Sequence, residues 1–267
     1  MTQDLLESVE GGIATLTMNR PESRNALSRA LMTGLVESLA RLATDSSVRV
    51  VVLTGAGRAF CSGGDVKGFA ERAAGGGGPQ PSFDDKVTDL RARMEAVRLL
   101  HEMPEPTLAV VPEPAAGAGL SLALACDLRI AADDAKLTTA FAKVGLSGDF
   151  GGSFFLSKLV GASRARELYF TGRVVSAEEA LRLGMVDRVS PYDRLAADAA
   201  AYARELASLP TVAVGYMKRN LNVAQRSGLS DTLDAEAVHM IRTFDTDDHK
   251  GAAKAFVEKR APTFSGR

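Results

Sequence analysis

The chain has few of the side chains that make the most familiar catalytic and metal sites. Among 267 residues there are two cysteines, Cys61 and Cys126, too few and too dispersed for a disulfide framework or a zinc cluster. Its three histidines, His101, His239 and His249, are isolated and lack metal-ligand spacing, so each is expected to be structural or superficial. No Gly-x-Ser-x-Gly elbow occurs. No window approaches the roughly 18 uninterrupted apolar residues of a membrane helix. The opening MTQDLLESVEGG lacks the basic and then apolar order of a secretory signal. An excess of charge of either sign is missing too: 32 Lys and Arg oppose 33 Asp and Glu, which offers no global field to nucleic acid or an anionic membrane. A cytoplasmic protein is expected, with no metal and with neither nucleic acid nor membrane as partner.

What is present is an ordinary globular composition, 46% hydrophobic and 24% charged, with length enough for a full core. The stretch from Ile13 to Met18 reads as a strand. Leu31, Leu35, Leu39 and Leu42 then form a helical stripe behind Ser28 as N-cap. VRVVVLTG and TLAVV are continuous apolar runs typical of strands buried on both faces, with a helix predicted between them over Asp84 to His101. GLSLALACDLRIAA reads as an apolar helix feeding another strand. Such alternation predicts βαβ crossovers and a largely parallel sheet. Beyond about Gly152 the pattern turns helical, with only VDRVS extended, so an α/β core over 1–195 and a helical region over 196–267 are expected.

Residues 73–83, AAGGGGPQPSF, are expected to hold no regular element and to form a mobile loop. Their four glycines lack the Gly-Lys-Ser/Thr of a phosphate loop, and neither GAGRAF nor AAGAGLSL completes a dinucleotide fingerprint. These two stretches share another property. Each leaves a buried strand through a small-residue turn into a helix, where unpaired N–H groups and close backbone approach favour an anion. Two such turns side by side could aim two N–H groups at one developing oxyanion, and removal of one such donor commonly costs about 3 to 4 kcal/mol of barrier. The proton-transfer group that such a site needs is sought in KVGLSGDFGGS, where Asp149 stands among glycines. A turn residue is the simple reading of an Asp in that setting.

The segments NRPESRNALS, VRVVVLTGAGRAFCSGGDVKGF, AAGAGLSLALACDLRIAADDAKL and AFAKVGLSGDFGGSFFLSKLVGASRARELYFTGRVVSAEEALRLGMVDRV together resemble the crotonase family, the enoyl-CoA hydratase/isomerase superfamily. The similarity runs from about Ile13 to the closing AFVEKRAPTFSG. It implies a crotonase-like α/β spiral of ββα units, a helical C-terminal trimerisation region in trimers or hexamers, and an acyl-CoA thioester substrate that brings its coenzyme A with it and needs no further cofactor. By position it assigns the oxyanion N–H groups to Gly64 and Ala118, with Ser62, Asp65, Gly117, Gly119 and Phe141 lining the substrate.

Departures from the family pattern shape the chemistry. Hydratases of the family carry two glutamates where this chain has Ser121 and Phe141, and neither replacement can move protons near neutral pH. Pro112, Glu113 and Pro114 replace a glycine-containing loop, and Glu113 is expected to be structural or solvent-facing. Asp149 falls where an aspartate resembles the acid/base of some enoyl-CoA isomerases and the nucleophile of 4-chlorobenzoyl-CoA dehalogenases. The latter reading also wants a histidine near the first turn and aromatic walls, and only Phe60, Phe69 and Phe83 stand there. One carboxylate suits a proton shuttle, so isomerisation is favoured modestly over hydration by Asp149 and water; a non-catalytic acyl-CoA-binding protein is the rival. Burial is expected to raise the pKa of Asp149. Arg20, Arg24 and Lys259 are the candidates for the coenzyme A phosphates and adenine.

Overall fold

A computed structural model describes residues 4–64 and 81–266. Strand β1 (Leu5–Glu10) runs antiparallel to β2 (Ile13–Met18), and the chain then turns through a short 3-10 segment at Pro21–Ser23 into helix α1 (Arg29–Leu42). The predicted cap is present: Ser28 Oγ accepts from Leu31 N at 3.0 Å, and Leu31, Leu35, Leu39 and Leu42 face the core. β3 (Val50–Gly55) follows, with Val50 to Leu53 wholly buried as its β-branched run predicts.

Two helices, α2 (Phe83–Arg93) and α3 (Glu95–Glu102), occupy the span read from sequence as one; they part at Met94. The low-complexity stretch ends earlier than its composition implies. Ser82 and Asp85 form a reciprocal capping box, so Phe83, expected in a loop, is the first residue of α2. Residues 73–80 of that stretch, with the four glycines, lie outside the described residues, as do Asp65 and Phe69.

The chain continues through β4 (Thr107–Val111), β5 (Ala115–Ala116), α4 (Ala118–Ala125), β6 (Leu128–Ala132) and β7 (Lys136–Thr138), then α5 (Gly152–Val160), α6 (Ala162–Thr171), β8 (Val175–Ser176), α7 (Ala177–Leu183) and β9 (Arg188–Ser190). The main sheet has the order β1-β2-β3-β4-β6-β9, parallel from β2 onward, and β5-β7-β8 make a smaller sheet beside it. Helices α8 (Leu195–Ala207), α9 (Thr211–Ala224), α10 (Leu229–Phe244) and α11 (Asp247–Val257) close the chain, and α8 lies on the main sheet. This is the α/β architecture that the crotonase resemblance implies. Among the described residues no helix is long and apolar enough to cross a membrane, and no cluster of His, Cys, Asp or Glu is arranged to hold a metal ion.

Candidate active site

Three tight turns meet where the main sheet hands over to the small one. The first follows β3: Cys61 N donates to Pro114 O, and Ala116 N donates to Cys61 O at 2.9 Å, so residues 61–64 lie directly against 115–119. Close packing explains the glycines. A Cβ at Gly63, already at φ +89°, would stand 2.7 Å from Ala116 O and 3.4 Å from Ala118 N, and one at Gly119 would stand 2.4 Å from Cys61 O. The loop preceding α1 supports the turn from outside, where Leu27 N donates to Gly63 O at 2.8 Å and Ser62 N donates to Arg24 O.

The second turn is pinned by Gly117, whose φ of 52° and ψ of −125° suit only glycine and whose N–H donates to Thr138 O. Ala118 opens α4, where a helix leaves its first N–H groups without an intrahelical partner. The two predicted oxyanion donors, Gly64 and Ala118, thus stand on two turns packed against each other.

Asp149 lies on the third turn, between Gly148 at φ +101° and Phe150 and Gly151 at φ +50° and +69°. Ser121, on α4, ties this turn to the second: its Oγ donates to the carbonyls of Asp149 at 3.1 Å and Gly117 at 3.3 Å. Its hydroxyl is therefore spent on two main-chain acceptors. The Asp149 side chain is half-buried, and its Oδ1 is enclosed with no hydrogen-bond partner among the described residues. Burial pushes the carboxyl pKa above its usual value, and the charge of Arg93 on α2 draws it back in part. Phe141 is buried against Gly117, with its ring edge 3.5 Å from where a Cβ would be, and it stacks on Tyr169 with ring centres 5.9 Å apart. Arg93 and Tyr169 escape a reading of the sequence because nothing in α2 or α6 marks them as neighbours of a turn so distant along the chain.

The remaining candidates are spread around this centre. Arg20 is committed inside the molecule, its Nη1 donating to Ala26 O at 2.6 Å and its Nε 3.6 Å from Asp4. Arg24 is exposed beside Ser62, whose own hydroxyl donates to Ser23 O. Lys259 is exposed after α11, in a left-handed backbone conformation. Glu113 is bound by Arg58, which also pairs with Asp134 and lies over the Tyr192 ring, as a structural role for Glu113 implies. His101 packs edge-on against Phe154 and Phe155, His239 stacks on Tyr216, and His249 meets Phe244. Both thiols are buried, which pushes Cys61 and Cys126 up to about 12 and leaves them inert.

The chain that carries this arrangement is similar to known proteins in both sequence and fold. The family model described as enoyl-CoA hydratase/isomerase matches residues 8–267. The 1,2-epoxyphenylacetyl-CoA isomerase of Escherichia coli K12 is 38% identical over 267 residues, the whole of both chains. A probable enoyl-CoA hydratase of Mycobacterium tuberculosis is 35% identical over 259 residues, covering 96% of this chain and 95% of the relative. Among solved structures, an enoyl-CoA hydratase from Polaromonas superposes with a TM-score of 0.90 at 30% identity, over 98% of this chain and 99% of that one. One from Bacillus anthracis gives 0.90 at 31% identity, over 99% and 100%. Sequence and fold together make this chain a member of the enoyl-CoA hydratase/isomerase family.

Proposed function

We propose that the protein shifts a double bond in an acyl-CoA thioester, with Asp149 as the group that takes and returns the proton. The Gly64 and Ala118 N–H groups would grip the thioester oxygen as the enolate forms, while Asp149 accepts a proton from one carbon and delivers it to another. The observation that carries this reading is the half-buried Asp149 carboxyl, whose Oδ1 has no partner among the described residues, beside Ser121, whose hydroxyl is already engaged. Hydration is the second reading, favoured by the relatives named as hydratases. It needs a water activated and a proton delivered, and the two family glutamate positions hold Ser121 and Phe141. Coenzyme A enters as part of the substrate. Arg24, exposed beside the first turn, is the proposed contact for its phosphates in preference to Arg20, with Lys259 in the same role across a subunit boundary.

Asp149→Asn keeps the shape and removes the proton-transfer group. Turnover of a panel of enoyl-CoA thioesters, with product regiochemistry read by NMR, is expected to fall by about 10²-fold or more in this variant. An equally active variant would sink the mechanism, a hydroxyacyl product would select hydration, and binding without turnover by the parent protein would select the non-catalytic rival. A base must be ionised, so kcat/KM is expected to rise with pH through a value above the ordinary carboxylate range.

A further inference from the structure

Two hydrogen-bonding groups of opposite kind are left over at the Asp149 turn. One is the Asp149 Oδ1 acceptor, enclosed and without a donor among the described residues. The other is the phenol of Tyr169 on α6, which is half-buried and makes no hydrogen bond to the described residues. The ring of Tyr169 lies along the turn that carries Asp149. A Cβ at Gly148 would stand 2.9 Å from its Cε1 and 3.5 Å from its oxygen; one at Gly152 would stand 2.5 Å from that oxygen and 2.3 Å from Ser121 Oγ. Phe141, stacked at 18°, supports one face of the ring. Burial and the nearby Asp149 charge push the phenol up to about 12, so it is protonated, and hence a donor, at every working pH.

We propose that Tyr169 is a positioning residue, whose O–H donates to the Asp149 carboxylate when substrate fills the site and so fixes both its orientation and its ionisation. The inference rests on Asp149 being the acid/base. The two groups are not hydrogen-bonded in the present structure, and the proposal requires the Asp149 side chain to turn towards the phenol when substrate is bound. During the shift the C–H bond of the thioester breaks, its electron pair enters the enolate held by the two N–H groups, and Asp149 holds the proton. Tyr169 keeps its own. Among the described residues, the charged and titratable groups that act on Asp149 are Arg93 from α2 and Tyr169 from α6. Arg93 is paired with Asp89 at 2.7 Å, which leaves the phenol as the uncommitted donor of the two.

Tyr169→Phe keeps the ring and its stacking on Phe141 and removes only the donor. In the full-length protein, the acidic limb of the kcat pH profile is expected to move up by about one to two pH units, the worth of a hydrogen bond to a charged group. kcat at neutral pH is expected to fall while KM changes little. An unchanged limb in a folded variant overturns the proposal. A second test leaves the side chain's shape almost untouched: protein labelled with 3-fluorotyrosine carries a more acidic, stronger donor. Its limb is expected to move down, and an unchanged limb again overturns the idea. Asp149→Asn separates the two levels: if it is inactive while both tyrosine changes leave the profile alone, only the role of Tyr169 fails, and if it is fully active the acid/base reading fails first.

Discussion

Glu105, in the turn between α3 and β4, is 6% exposed and buries an Oε2 with no partner among the described residues. Lys218 lies beside it, yet that ammonium already donates to Leu100 O at 3.0 Å and Glu105 O at 3.1 Å and pairs with Asp127 at 2.7 Å, so its three protons are spent elsewhere than on the carboxylate. Burial therefore pushes the acid up to about 7 from 4.5, with Lys218 opposing and Asp45 adding to the rise. The folded state then holds a proton that the unfolded chain has released between those values. This contribution to stability is fully present below the unfolded pKa and is lost as pH rises through about 7. Glu105→Gln is expected to flatten that loss and to gain up to about 3 kcal/mol over the parent at pH 8.5, since each tenfold change in a protonation equilibrium is worth about 1.4 kcal/mol. Urea unfolding of both proteins at pH 5 and 8.5 measures it, and parallel pH trends would refute the assignment. Asp149 shares the same physics with the opposite use: its burial, offset only in part by Arg93, sits beside the proposed oxyanion turns, where a carboxyl of raised pKa can exchange protons.

At the scale of elements, the site depends on how closely the first two turns pack. Gly119→Ala puts a carbon 2.4 Å from Cys61 O and 2.8 Å from its Sγ, so the turns must move apart and carry the proposed donors, Gly64 and Ala118, with them. Loss of a donor from such a pair is worth about 3 kcal/mol of barrier, so kcat/KM is expected to fall by about 10²-fold or more, beyond any shift in Tm. Normal steady-state kinetics in this variant would exclude the two-turn hole. Elements with a strong local signature were legible in the sequence: the Leu stripe of α1 with its Ser28 cap, the buried runs of β3 and β4, and the glycine turns themselves. β1 was not, since in LLESVE only Leu5 is buried and the alternation that marks a strand is absent. Nor was the break at Met94, where helical dihedrals persist through the junction and no Gly or Pro intervenes. Tyr169 and Arg93 were beyond reach for a different reason, because their closeness to Asp149 is made by tertiary packing alone.

At the scale of the molecule, the C-terminal helices display apolar side chains in number: Leu221, Leu229, Ile241, Phe256 and Val257 are 63% to 85% exposed. Such surface is costly in a lone chain and suits burial against further copies. Sedimentation is expected to give a trimer or a pair of trimers, and a monomer at micromolar concentration would contradict it. Arg49 ties this region to the body of the same chain, donating from the start of the sheet to Leu209 O, Thr211 Oγ1 and Phe264 O.

The proposed oxyanion donors, Gly64 and Ala118, are main-chain amides, and that has a consequence for how such a chain can change over time. Substitution can delete a side-chain donor at any position, but only proline removes a backbone N–H. If these amides hold the thioester oxygen as proposed, the grip survives nearly any point mutation at Gly64 or Ala118 that the packing tolerates. Ser121, Phe141, Asp149 and Tyr169 can meanwhile vary around it. On that proposal, one proton chemistry could be exchanged for another on this backbone without passing through a form that has lost its hold on the substrate.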